Sequence, residues 1–202
     1  DCSKLTTITL PNTVTTIEGN AFSGCTSLGS ITWSISLKSI GKEAFYECKS
    51  LTSINMPNSV TTLGVGVFNV CENLTSLTLS SKITTIPEYA FNRCRSLTTI
   101  TFPESVTTIA TFAFQNCTGL TKVTLGSKFE SMGCMAFYNC PLKEVIFLNP
   151  TPPVLCSVNA ISEDAKLIVP DIAYSAYINS DWNFFALKTA NDLVYIGGLW
   201  YI

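Results

Sequence analysis

The chain is 202 residues long, 47% hydrophobic and only 13% charged, with a net charge of −2. Its 12 basic residues are scattered, which argues against a nucleic-acid or polybasic membrane surface, because both need concentrated Lys and Arg. Histidine is absent, and with it go Ser-His-Asp and Cys-His nucleophile systems, His-ligated zinc and two-His-one-carboxylate iron.

No apolar run approaches the ~18 residues that span a bilayer, and no basic-then-apolar leader opens the chain. Asp1-Cys2-Ser3-Lys4-Leu5 starts inside a repeat register instead, so the natural protein is expected to continue upstream or to be a processed product. The register is set by Phe22, Phe45, Phe68, Phe91, Phe114 and Phe137, each 23 residues after the last. A small residue precedes each one, and a cysteine follows three positions later, from Cys25 to Cys140, with Cys2 one period earlier. Self-similarity at such a period is the signature of a stacked repeat.

Each unit opens on a leucine (Leu5, Leu28, Leu51, Leu74, Leu97, Leu120), followed by Ile8 and Leu10 and their counterparts three and five positions on. This L-x-x-I-x-L segment alternates as a short strand with one buried face should. Pro11, Pro57 and Pro103 end some of these strands and start a turn. A Thr column (Thr15-Thr16, Thr61-Thr62, Thr84-Thr85, Thr107-Thr108) then precedes an inward Ile or Leu and marks a second short strand. The A-F-x-x-C stretch suits a single helical or 3₁₀ turn. One coil cannot bury its apolar face alone, so coils must stack about 4.8 Å apart into a parallel sheet with a continuous core.

The unit L-x-x-I-x-L-P-x-x-V-x-x-I-x-x-x-A-F-x-x-C resembles the BspA-type (Treponema pallidum-type) leucine-rich repeats over residues 1–148. The resemblance implies a repeat solenoid: a right-handed leucine-rich-repeat β-solenoid with a parallel concave sheet, short turns or 3₁₀ segments on the convex side, and a C-terminal cap. It also implies surface or secreted proteins, mostly bacterial, that mediate adhesion or host-protein binding.

After Cys140 the register shortens by one residue, a last strand is expected around Leu142–Phe147, and Pro150, Pro152 and Pro153 end the array. Residues 149–202 are expected to cap the exposed apolar cross-section that any solenoid end presents. Within them Lys166–Pro170 reads as a strand, and Ala173–Tyr177 followed by Trp182 as a short helix with aromatic anchors. Val169, Pro170, Tyr177, Trp182 and Phe185 match a terminal stretch found in the resembling family. The apolar tail 187–202 completes the cap, adds a strand, or supports self-association.

Nine cysteines without a C-x₂₋₄-C pair argue against zinc. The ladder cysteines point the same way into the core and read as buried reduced thiols, whereas Cys134 and Cys156 lie off the ladder and are the expected sites of pairing or reactivity. Trp33 falls in an inward column and is expected in the core. Arg93 and Arg95 read as a solvated turn, and Glu163-Asp164 as a loop pair without a metal motif. No nucleotide-binding or EF-hand pattern occurs, so no cofactor or metal site and no enzymatic activity are expected. The candidate binding face consists of the outward strand positions: Thr7, Thr9, Ser30, Thr32, Ser53, Asn55, Ser76, Thr78, Thr99, Thr101, Lys122 and Thr124. These rows suit a solvated β-surface or a hydroxyl-rich site for a protein or glycan. A structural spacer in a larger surface protein is the alternative.

Overall fold

The computed structural model describes residues 2–156, 158–162, 165–182, 194–196 and 199–201, the last two segments and residue 158 by their backbone. Phe185, Glu163-Asp164 and much of the tail 187–202 therefore lie outside the described residues.

Each 23-residue unit forms one coil with two strands. The first strands are β1 (Thr7–Thr9), β3 (Ser30–Thr32), β5 (Ser53–Asn55), β7 (Ser76–Thr78), β9 (Thr99–Thr101), β11 (Lys122–Leu125), β13 (Glu144–Phe147) and β15 (Lys166–Pro170). The second are β2 (Thr16–Ile17), β4 (Ser39–Ile40), β6 (Thr62–Leu63), β8 (Thr85–Ile86), β10 (Thr108–Ile109), β12 (Ser131–Met132) and β14 (Val154–Leu155). Every ladder between successive coils is parallel and keeps the sequence register, as in Ile8 opposite Ile31 and Ile109 opposite Met132. The Thr column thus marks the expected second strand series, in two sheets, β2-β4-β6 and β8-β10-β12-β14.

A phenylalanine stack runs through the core. Successive rings from Phe22 to Phe137 lie 5.1–5.6 Å apart and nearly parallel. Around them the leucine column from Leu28 to Leu120 and the ladder cysteines from Cys25 to Cys140 are buried. The A-F-x-x-C segments are tight turns rather than 3₁₀ helix. Two columns force this, because Asn20, Glu43, Gly66, Tyr89, Phe112 and Met135, and again Gly24, Glu47, Val70, Arg93, Asn116 and Asn139, have positive φ. A left-handed residue cannot continue a right-handed helix, and two per unit bend the chain around the phenylalanine.

Past residue 148 the stack continues. β13 pairs with β15 and β12 with β14, both in parallel. The helix α1 (Tyr174–Ile178) then brings Tyr177 and Trp182 against Phe147, with ring centroids 5.6 and 4.7 Å away. Tyr177 donates its hydroxyl to the carbonyl of Asn149, and the Trp182 indole N–H donates to the carbonyl of Pro153 at 2.7 Å. Both anchors are buried and hydrogen-bonded, as amphipathic aromatics closing a core require. Two antiparallel strands, β16 (Val194–Ile196) and β17 (Leu199–Tyr201), extend this sheet beyond β15 in the order β15-β17-β16.

The first-strand sheet is not continuous. β1 pairs with β3, β5 with β7, and β9 with β11 and onward, but β3 is not laddered to β5, nor β7 to β9. The interruptions follow the prolines, which stand in alternate coils 46 residues apart. In a parallel ladder the N–H of residue 103 would donate to the carbonyl of Leu79, and that of residue 57 to Trp33. Proline has no N–H to give. At the β11–β13 junction, where leucine occupies this position, the bond forms, Leu148 N–H donating to Leu125 O at 3.0 Å. The β1–β3, β5–β7 and β9–β11 ladders form without it, so the prolines mark the interruptions and are one contribution to them.

Candidate binding face

All twelve outward residues share one face. Eleven are exposed and Thr124 is half-buried. They line up in rows across the paired strands: Thr7 with Ser30, Thr9 with Thr32, Ser53 with Ser76, and Asn55 with Thr78. The row that begins at Thr99 turns charged, running through Lys122, Glu144 and Lys166. Lys122 reaches Glu144 at 2.8 Å. Exposed pairs of this kind contribute about 0–1 kcal/mol, so the bridge sets local charge more than stability.

Between β7 and β9 the face opens into a groove of about 440 Å³, walled by residues 75–79 and 99–103. Its lining is hydroxyl at the lip and apolar beneath, and it contains no charged residue. The opening shows in burial. It is one-sided at both interruptions: Ile31 and Leu77 on the preceding coil are half-buried, whereas Ile54 and Ile100 on the following coil are 1% and 3% exposed. Trp33 is half-buried too, a correction to its expected place in the core, and it packs edge-on against Phe45 at 5.6 Å. It borders the β3–β5 interruption, which leaves one side of the indole uncovered.

The opposite wall differs chemically. The thiols of Cys48, Cys71, Cys94, Cys117 and Cys140 donate to the carbonyls of Phe22, Phe45, Phe68, Phe91 and Phe114, one coil back, at 3.0–3.5 Å. The ladder cysteines are therefore free and buried, as expected, and they also satisfy turn carbonyls, which their inward spacing alone did not disclose. Burial pushes the Cys48 thiol up to about 12, and raises Cys71, Cys94 and Cys117 as well, because a thiolate has no water there. These thiols are inert neutral groups at physiological pH.

Cys134 and Cys156 form a disulfide with Cα atoms 4.9 Å apart. They lie just beyond β12 and β14 on adjacent coils, one register position apart. Cys156 aligns with Gly133, and its N–H donates to Met132 O as that of Gly133 donates to Ile109 O. Arg95 lies 3.8 Å from Glu72 on the neighbouring coil, and Arg93 is exposed at a positive-φ turn position, consistent with a solvated turn. Among the described residues, no group of three or more His, Cys, Asp or Glu could hold a metal, and no helix is long and apolar enough to cross a membrane.

Stacked parallel coils with a leucine-phenylalanine-cysteine core and a hydroxyl-bearing strand face define a leucine-rich-repeat solenoid. A model of the BspA type Leucine rich repeat region matches in six copies over residues 1–117 and 84–153, and the chain belongs to that family. A crystal structure of a Treponema pallidum leucine-rich repeat protein is 32% identical with a TM-score of 0.65, covering 69% of this chain and 65% of its own. A leucine-rich repeat protein from Eubacterium ventriosum is 26% identical with a TM-score of 0.64, over 83% of this chain and 42% of its own. One from Bacteroides ovatus is 24% identical with a TM-score of 0.58, over 86% and 47%, and supports the fold alone. The chain thus spans about two thirds or less of these proteins. No curated protein matches it significantly.

Proposed function

We propose that this array is a non-enzymatic binding module of a secreted or cell-surface protein, and that its first-strand face takes a protein or glycan ligand. The observation that carries this reading is the face itself: rows of exposed Thr, Ser and Asn held on short strands over a buried core. A preformed surface loses little ordering entropy on association. The ladder thiols from Cys25 to Cys140 are buried and only Cys2 at the start of the ladder is exposed, which fits a module without catalysis. The Cys134–Cys156 disulfide suits an oxidising, extracellular setting. Residues 149–202 serve as the terminal cap, with Tyr177 and Trp182 sealing the core end.

Glycan and host-protein arrays probed with the wild-type chain and with Thr78→Lys and Thr99→Lys test the reading. Both variants fold, because these positions are exposed, and both are expected to lose array signal. Undiminished signal from the two variants removes the strand face as the site. A second reading, self-association in a larger surface protein, is favoured by β16, which stands last in the strand order of its sheet. Size-exclusion profiles with and without residues 187–202 decide it: an oligomer that needs this tail supports the reading, and a monomer in both cases ends it.

A further inference from the structure

The groove between β7 and β9 is a gap in a hydrogen-bonded sheet, which sets it apart from a mere dent in a hydroxyl surface. In the β5–β7 ladder Thr78 turns its backbone toward β5, since Met56 N–H donates to Thr78 O at 3.0 Å. The alternate residues of β7, Leu77 and its neighbour Leu79, therefore turn their N–H and C=O groups the other way. In the β9–β11 ladder Phe102 N–H donates to Thr124 O at 2.9 Å, so Thr99 and Thr101 turn theirs back toward β7. Among the described residues no hydrogen bond joins the two strands across the gap. Both walls thus present strand-spaced donors and acceptors to one uncharged groove of about 440 Å³. Pro103 stands at the edge of this gap and leaves Leu79 O without the N–H that another residue at 103 would supply.

We infer that this groove is a strand acceptor: an extended, uncharged polypeptide segment of a partner enters it and hydrogen-bonds to the backbone groups of Leu77, Leu79, Thr99 and Thr101. A guest strand carries its own N–H opposite the Leu79 carbonyl, which the prolyl wall cannot provide. Main-chain pairing gives such a site its affinity and the apolar floor its preference for small aliphatic side chains. Alternating N–H and C=O groups along both walls match a polypeptide backbone; a sugar ring has no amide spacing to meet them. The chain contains its own counterexample. The equivalent interruption between β3 and β5 carries Trp33 where the groove carries Leu79. The indole is half-buried against Phe45, so a tryptophan is accommodated at this position of the fold.

The inference rests on the binding-face reading only in placing the ligand on the first-strand side. Its test is amide exchange of the full chain with a capped, neutral Thr-Val-Thr-Val-Thr-Val peptide, followed residue by residue. Free protein is expected to exchange Leu77, Leu79, Thr99 and Thr101 quickly, and saturating peptide to slow these four by at least about tenfold, as formation of new hydrogen bonds does. Leu79→Trp, built on the Trp33 precedent, is expected to fold and to show no peptide protection. Slow exchange in the free protein, no protection by the peptide, or equal protection of L79W each overturns the inference. So does equal protection by maltoheptaose, which would make the groove a glycan site. Thr32→Lys, on the face but outside the groove, separates the two readings. If array ligands are lost in T32K but retained in L79W, the face reading survives and the strand acceptor does not.

Discussion

The turn wall and the strand face arise from the same 23-residue unit, yet only one of them is continuous. On the turn wall each phenylalanine N–H from Phe22 to Phe137 donates to the following coil, five times to the small residue of its A-F pair and finally to Ala160, at 2.8–2.9 Å. Each cysteine thiol from Cys48 onward returns a bond to the preceding coil. The wall has one period and no gaps. The strand face is interrupted twice, each time where a coil carrying Pro57 or Pro103 follows, 46 residues apart. A repeat protein can therefore keep its stability on one side and interrupt the other.

The largest test of that division is Phe91→Ala. Phe91 is fully buried between Phe68 and Phe114, with centroids 5.6 and 5.1 Å away. Its truncation is expected to cost about 3–5 kcal/mol in denaturant unfolding. Leu77→Ala on the interrupted face removes only a half-buried side chain and should cost less than the about 2–5 kcal/mol of a buried leucine. Equal costs would mean that the two sides share the load.

Next in size is the staple at the array's end. The Cys134–Cys156 disulfide closes a separation of 22 residues, so Cys134→Ser is expected to cost about 3 kcal/mol, and reductant should shift the wild type by a similar amount. Cys156→Ser serves as the control. If reductant leaves the wild-type unfolding midpoint unmoved, the bridge contributes no stability to the terminal coils.

The thiol wall also predicts a pH profile. The ordinary value of 9.0 rises to about 12 at Cys48, and Cys71, Cys94 and Cys117 move the same way. A raised thiol holds its proton better folded than unfolded. Its contribution is therefore complete below about pH 9 and is lost as pH climbs toward 12. Thermal midpoints should stay flat with respect to these groups up to the ordinary thiol range and then fall. Tyr177, raised by burial, adds to the fall above its usual 10.0. A C48A variant should fall less steeply. A flat profile from pH 9 to 12 would show that the thiols ionise without opening the wall.

Much of the array was readable because solenoid stacking repeats one local rule. The Phe, Cys and Leu columns, both strand series and the terminal aromatic anchors Tyr177 and Trp182 follow from the side-chain spacing. The positive-φ columns were not readable, because Glu43, Val70 and Phe112 are not turn residues by preference and adopt φ > 0 only because their neighbours on the stack adopt it. The groove was also hidden. It depends on which N–H faces which carbonyl across two coils, and Pro57 and Pro103 signal it only when the strand register is known. Trp33 was misplaced for the same reason, since its column points inward but the interruption beside it leaves the ring uncovered. The pairing of Cys134 with Cys156 needs the register of β12 and β14. That register returns to 23 residues after the 22-residue offset between β11 and β13, and sets the two cysteines one position apart on adjacent coils.

Pro103→Ala is the finest test, and its expected effect on stability is close to zero. Removing the proline frees the unfolded chain, at a cost of about 0.4–1 kcal/mol. The restored N–H opposite Leu79 O adds a hydrogen bond worth about 0.5–1.5 kcal/mol. These contributions nearly cancel, so melting temperature is the wrong observable and amide exchange the right one. With residue 103 able to donate, β7 and β9 should ladder, and the amides of Leu77, Leu79, Thr99 and Thr101 should slow without any peptide present. Pro11→Ala is the matched control: Pro11 follows β1, three coils before β7, and its replacement should leave those four amides unchanged. If P103A exchanges them as fast as the wild type, the missing prolyl donor is not what holds the groove open.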